Sequence, residues 1–236
     1  EPWGFTISSQ NHVTFAAVPP PSGSARPGDR GLALLHLVAT NSYNGGHTLT
    51  DLTISNATSG PGTQSQRDGE MRVLTLRDDG NNDGMLSGTD VDPVLGTGFF
   101  ASGAMTFAGL NWSIAAGQSR QLFVTADVSL RDAADGDVLS AVITGELATA
   151  FAEPTAVTSG WPLDSGVRAA IDGFGAAQLT SFRINPATVG PNDNSLLALD
   201  FLVPPDGYLA DVLQSVRVVN LGSAGATDLA AMKLWQ

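Results

Sequence analysis

The 236-residue chain contains no cysteine and a single lysine, Lys233. Without cysteine it has neither disulfides nor a thiolate nucleophile, although calcium can take the place of disulfides as a cross-link in exported proteins. Lys and Arg number 11 against 23 Asp and Glu, which gives a formal charge of -12. Because nucleic-acid binding depends on basic patches, this balance argues against a nucleic-acid partner and suits divalent cations.

Long apolar runs are also missing, so the sequence predicts no membrane span. The first residues, Glu1-Pro2-Trp3, lack the basic and then apolar pattern of a signal peptide. Only 14% of residues are charged, while Gly, Ser, Thr, Ala and Val are abundant, a profile typical of secreted β-proteins. We therefore expect a mature, exported chain whose signal has been removed.

Catalytic signatures are absent as well. His12, His36 and His47 fit no metal-ligand spacing, and His36 lies in an apolar run that favours a core or sheet-face position. No Gly-x-Ser-x-Gly elbow or phosphate-binding glycine loop is present. Glu146 and Glu153 are acids without a predicted substrate cleft. We expect that the chain is not an enzyme.

Short apolar or alternating runs recur along the chain, separated by turns rich in Gly, Pro and Asn. This pattern predicts an all-β, antiparallel β-sandwich. The best helical candidate, 167–177, contains two glycines. The predicted strands are 3–8, 12–17, 32–40, 49–55, 73–76, 104–107, 120–128 and 138–148.

The most specific motif is the twelve-residue stretch 79–90, which fits an EF-hand calcium loop position by position. Gly84 stands at the sharp turn of position 6. Six residues supply oxygens at positions 1, 3, 5, 7, 9 and 12, with a backbone carbonyl at position 7: Asp79, Asn81, Asp83, Met85, Ser87 and Asp90. The alternative is a metal-free turn in which Asp and Asn side chains bond their own backbone.

The residues flanking this loop do not predict helices. Val73 and its apolar neighbours precede it without a helix-start signal, and Pro93 discourages a long helix after it. The loop is therefore predicted to lie between strands. Its closing residue is Asp where a sensor loop has Glu, so its resemblance is closer to the dockerin type.

Two further acidic turns, 132–137 and 192–194, match calcium turns less well. A second calcium turn at 132–137 is one interpretation, and a hairpin between strands is the favoured one.

The last sixty residues repeat the order of the first eighty. Segment 31–38 is similar to 195–203, 49–56 to 213–220, and 74–78 to 232–236. The sequence therefore predicts a complete β-sandwich unit with the calcium loop at 1–155, a linker at 156–176 and a partial second unit at 177–236. Half a sandwich leaves its inner face uncovered. Either the chain belongs to a longer array, a neighbouring subunit supplies the missing strands, or the halves merge into one sheet system.

Segment 111–128 combines an apolar strand, an Ala-Gly turn and an alternating strand that ends in Asp127-Val128, after the calcium loop. It resembles bacterial extracellular immunoglobulin-like repeats with a dockerin or EF-hand-like calcium loop. The resemblance implies an immunoglobulin-like sandwich and a non-catalytic module of the cell surface or of a secreted protein.

We therefore expect an extracellular structural protein, a calcium-stabilised subunit of a surface fibre, sheath or multi-repeat adhesin. Its partners would be copies of itself or adjacent repeats, joined head to tail by strand donation. The alternative is a carbohydrate-binding module of a secreted hydrolase, which requires exposed, coplanar tryptophans for a polysaccharide. Trp3, Trp112, Trp161 and Trp235 are dispersed, which favours packing roles.

Overall fold

The computed structural model describes residues 11–20, 22–88, 91–164, 166, 169–194, 196–204, 212–225 and 227–235. Within these ranges the protein is all-β, with one short α-helix and the short 3-10 turns Glu146–Ala148 and Ala176–Gln178. The elements are β1 Val13–Val18, β2 Gly23–Ala25, β3 Leu32–Asn41, β4 His47–Asn56, α1 Gln64–Gly69, β5 Met71–Asp78, β6 Val94–Gly98, β7 Ala104–Phe107, β8 Trp112–Ile114, β9 Ser119–Val128, β10 Val138–Leu139, β11 Ala141–Val142, β12 Thr149–Phe151, β13 Val157–Thr158, β14 Ala169–Ile171, β15 Thr180–Phe182 and β16 Asp200–Leu202.

The largest sheet has six strands in the order β13-β1-β3-β9-β5-β6. Its pairs are antiparallel except for β1 and β13, which run parallel. The long strands β3 and β9 form its centre, with Leu37 opposite Leu122. Strand β5, on the other side of β9, therefore joins the sheet interior to the edge strand β6.

A second sheet forms around β4, which pairs antiparallel with β7, β8, β11 and β12. A small third sheet has the order β10-β14-β2, with β14 and β2 parallel. The described sheets are therefore mixed as well as antiparallel, which corrects the purely antiparallel prediction.

The core is one hydrophobic cluster to which the two larger sheets both contribute. Leu49, Leu52 and Ile54 of β4 are fully buried, as are Leu35 and Leu37 of β3. Buried and less buried residues alternate along β4 on both sides of a register shift at Thr50, which puts Leu49 and Leu52 three residues apart. The apolar pattern of the sequence thus decides which face of each strand turns inward.

Most predicted strands have a counterpart, with shifted ends, in the described structure. Run 138–148 is divided into β10, β11 and a 3-10 turn, and the predicted strand 3–8 lies outside the described residues. The helical candidate at 167–177 contains strand β14 and a 3-10 turn instead. The helix that does form, α1, begins with a capping box in which Thr63 and Gln66 bond each other's backbone N–H.

The segment predicted as a linker, 156–176, contributes two strands to the first unit. Strand β13 extends the large sheet beside β1, and β14 pairs with β10 and β2. Ala169 and Ile171 belong to the hydrophobic core. The described part of this segment therefore packs with the residues before it.

After residue 179 the described chain is largely exposed. Strands β15 and β16 pair with each other and with no other described strand. No helix in the described ranges is long and apolar enough to cross a membrane.

The Leu52→Ala substitution tests the core. We expect it to lower the free energy of unfolding by about 2–5 kcal/mol, because it removes a fully buried side chain and leaves a cavity. Urea denaturation followed by tryptophan fluorescence measures the change. Leu147→Ala is the matched control: this leucine is 96% exposed, and its replacement should change stability by less than about 0.5 kcal/mol. Equal effects of the two substitutions would contradict the assigned core.

Candidate metal site in the loop between β5 and β6

The predicted calcium loop lies between β5 and β6, as the flanking sequence predicts. Backbone hydrogen bonds join the two ends of this loop to each other and tie its first residue to β9. The Asp78 N–H donates to the Pro93 carbonyl at 3.0 Å, and the Asp79 N–H donates to the Gln121 carbonyl of β9 at 3.0 Å. The loop is therefore fixed to the large sheet before any ion is considered.

A buried carboxylate, Asp78, supports the start of this loop by joining the two larger sheets. Trp112 of β8 donates its indole N–H to Asp78 at 2.7 Å, and Arg120 of β9 forms a salt bridge with the same carboxylate. The guanidinium carbon of Arg120 also lies 5.0 Å from the centre of the Trp112 ring. Hydrogen bonds to both oxygens offset the desolvation of the buried charge.

Asp79, predicted at loop position 1, is buried with its carboxylate turned into the loop. Its two oxygens accept hydrogen bonds from the N–H of Asp83 at 3.2 Å and from the N–H of Gly84 at 2.7 Å. Gly84 has a φ of +75°, a conformation that glycine adopts without strain. The backbone thus curls around this carboxylate, with both of its oxygens bonded inside the loop.

Asn81 and Asp83, at positions 3 and 5, form consecutive side-chain turns. The Asp83 N–H donates to Asn81 Oδ1 at 3.3 Å, and the Met85 N–H donates to Asp83 Oδ1 at 2.8 Å. These are the bonds of the metal-free alternative. Each oxygen has a second lone pair, however, so the same bonds also leave the loop able to accept a cation.

Asp92 is the functional candidate that sequence reasoning missed. It lies two residues after the predicted closing residue and is 0% exposed. One of its oxygens accepts a hydrogen bond from the Ser87 N–H, while Oδ1 is buried without a partner. A buried, unpaired carboxylate oxygen is costly unless an ordered water or a cation binds it. The second acid of Asp90-Val-Asp92 was the signal in the sequence.

The predicted ligands are only partly brought together. Asp79 is buried, and hydrogen bonds from the Asp83 N–H link it with Asn81. The other described candidates are all exposed: Asn81, Asp83, Met85 and Ser87. Ser87 contacts Asp92 through its N–H. Asp90 lies outside the described residues. Within the described ranges, no three His, Cys, Asp or Glu side chains form a metal-binding group.

Two side chains outside the loop hold it against the sheet. Gln121 donates from Nε2 to the Asn82 carbonyl at 3.1 Å, and its Oε1 lies 2.6 Å from His36 Nε2. His36 is buried and stacks on Phe123 with ring centres 4.4 Å apart. Its role in the described structure is therefore to pack and to position, in line with the sheet-face interpretation.

The tryptophans do not provide a described sugar-binding face. Trp112 is buried, Trp161 is partly buried against the core, and Trp235 is 76% exposed far along the chain. Trp3 lies outside the described residues.

Thermal unfolding with calcium and with a chelator tests the loop. A free calcium concentration about a hundredfold above Kd should stabilise the fold by roughly 2.7 kcal/mol for one site. Asp83→Ala and Asp92→Asn should each abolish the stabilisation that calcium gives by binding to this loop, because each substitution deletes a charged oxygen ligand.

Glu146→Ala is the control for charge, since it removes one acid from an exposed position away from the loop. It should leave the calcium response unchanged. Identical unfolding curves for the wild-type protein with calcium and with chelator would contradict a calcium site.

No protein-family model matches the chain, and no curated protein is significantly similar to it.

Proposed function

We propose that this chain is a structural module of an extracellular protein: a calcium-stabilised, immunoglobulin-like β-sandwich subunit of a surface fibre, sheath or multi-repeat adhesin. The observation that carries the proposal is the loop at 79–92, in which the backbone encloses Asp79 and the buried Asp92 has an unpaired oxygen. A calcium ion there would fasten the β5–β6 edge to the sheet interior. Its role is mechanical and thermal stabilisation of the module.

The exposed second part of the chain supports a role in assembly. Segments 32–38 and 196–203 are similar in sequence, yet the first lies in the central strand β3 and the second is mostly exposed. Monomeric proteins rarely expose this much apolar surface, so a neighbouring copy or repeat is the expected cover. The large exposed apolar residues after residue 179 are Phe182, Val189, Leu196, Leu197, Leu199, Leu202, Val212, Leu213, Val216, Val218, Val219, Leu221, Leu229, Met232, Leu234 and Trp235.

The proposed contact is head-to-tail strand donation. The predicted strand at 3–8 presents Trp3, Phe5 and Ile7 on one face, which suits the apolar groove of an incomplete sandwich. Such a contact joins two different surfaces and therefore propagates as a fibre instead of closing as a dimer.

The proposed function is not catalytic. Glu146 is exposed, and Glu153 accepts a hydrogen bond from the Thr48 N–H at 2.7 Å, which suits a structural role. Burial and the neighbouring Asp137 carboxyl raise the pKa of Glu70 to about 8. Glu70 and Asp137 are only 2% and 1% exposed, however, so a substrate has little access to either carboxyl.

Removal of residues 1–9 tests the mode of assembly. We expect the shortened chain to remain folded and to lose the ability to form ordered polymers, because the donated strand is missing. Light scattering after size-exclusion chromatography and electron microscopy of the purified protein measure this. Polymers formed equally well by the shortened chain would contradict strand donation.

A pair of point substitutions gives the matched control. Phe5→Asp places a charge on the face predicted to enter the groove, whereas Thr6→Asp places the same charge on the opposite face. We expect Phe5→Asp to prevent assembly and Thr6→Asp to preserve it.

A further inference from the structure

A second group of carboxylates lies at the other end of β5, away from the loop. Glu70 separates α1 from β5, and Asp137 ends the turn that leads into β10. Both belong to the buried residues of the fold, and both line one surface cleft together with Asp132. About nine residues of extended chain separate Glu70 from Asp79, which corresponds to roughly 30 Å.

The buried oxygens of this pair lack partners. Asp137 has no hydrogen-bond partner on either carboxylate oxygen, and Glu70 has none on Oε2. Glu70 Oε1 accepts only a long hydrogen bond, 3.4 Å, from the Ala134 N–H. Unsatisfied, buried carboxylates are costly, so three unpaired oxygens in one place call for a bound proton, ordered water or a cation.

The surroundings hold the Asp137 carboxylate in place. A Cβ atom at Gly60 would lie 2.0 Å from Asp137 Oδ1, so the carboxylate packs directly on the glycine backbone. The Asp137 N–H donates to the Ala134 carbonyl, and its carbonyl accepts from the Ile171 N–H of β14. These backbone bonds fix the position from which the side chain extends towards Gly60.

No salt bridge among the described residues involves Glu70 or Asp137. The salt bridge that the described residues do form joins Arg120 to Asp78. The guanidinium of Arg67 donates instead to the carbonyls of Gly60 and Gly62, at 3.4 and 2.8 Å.

We propose that Glu70 and Asp137 bind a divalent cation of the oxygen-preferring class, with calcium as the expected ion. Two carboxylates provide up to four of the roughly six to eight oxygens that calcium takes. Water in the cleft that both residues line would supply the remaining oxygens. The ion joins the end of α1, the start of β5 and the 132–137 turn, which lie far apart in sequence.

Protonation of Glu70 is the alternative to a bound cation, and the position of Glu70 explains why its carboxyl holds a proton readily. Burial, and after it the adjacent Asp137 carboxyl and its charge, raise the pKa of Glu70 to about 8. A hydrogen bond between two carboxyl groups forms only when one of them holds a proton. A divalent cation removes that requirement because it satisfies both carboxylates in their ionised form.

Calorimetric titration of the chelator-treated protein with calcium chloride alone tests the proposal. We expect the wild-type chain to bind two equivalents and the double variant E70Q/D137N to bind one. In the D83A background, which lacks the loop site, E70Q/D137N should remove the remaining equivalent. If the loop binds no calcium, the wild-type chain should bind one equivalent, and E70Q/D137N alone should remove it. The titration therefore distinguishes a wrong loop site from a wrong Glu70–Asp137 site.

The amide variants preserve side-chain volume, and the amide that E70Q introduces can donate to residue 137, so the fold should persist; circular dichroism checks this. Either single variant gives the same test if the double variant does not fold. E146Q removes one negative charge at an exposed position, and this variant should bind as many calcium equivalents as the wild-type chain. Unchanged stoichiometry in E70Q/D137N, in both backgrounds, would overturn the proposal. So would a wild-type chain that binds no calcium and is stabilised by E70Q, since that result identifies a protonated pair.

Discussion

The structure depends on how a chain with 23 acids and 11 Lys and Arg places carboxylates beside its core. Asp78 shows one solution: Arg120 and Trp112 neutralise and bind it, and the same contacts join the two larger sheets. Asp68 shows another. Burial would raise its pKa, but hydrogen bonds from Gln64, Asn56 and the Gly103 N–H outweigh burial and hold the pKa below its usual value. Where partners surround a carboxylate, the fold keeps it charged without an ion.

Glu70 and Asp92 each keep one buried oxygen without a partner, and Asp137 keeps two. Their positions are related, because Glu70 directly precedes β5 and the 79–92 loop directly follows it. Strand β5 lies between the long strand β9 and the edge strand β6, and it contributes Leu74 and Leu76 to the core. Cations at its two ends would fasten an edge of the sandwich that backbone pairing alone leaves open. Under the two proposed cation sites, ions would supply cross-links in a chain that has no disulfides.

The two copies of the repeated sequence differ in how deeply their apolar residues are buried. In the first unit, β3 and β4 each have partners on both sides and bury their apolar residues. The similar segments after residue 179 carry the same alternation, but Leu197 and Val219 are 62% and 59% exposed. The same local pattern is therefore buried where the larger sheets share a core and exposed after residue 179. This contrast underlies the proposed assembly.

The sequence by itself determined the all-β class, the approximate positions of β3, β4, β7 and β9, and the place of the acidic loop between strands. These features depend on alternation, turn residues and loop spacing, which are local properties of the chain. The tertiary structure decided the rest. Val157–Thr158 and Ala169–Ile171 became strands through pairing with distant partners, and no hairpin formed at 132–137, because β10 pairs with β14 and not with β9. The spacing Asp90-Val-Asp92 marked Asp92 as an acid near the loop, but its burial appears only in the folded structure. The proximity of Glu70 to Asp137 depends on contacts between segments far apart in sequence, for which local spacing carries no signal.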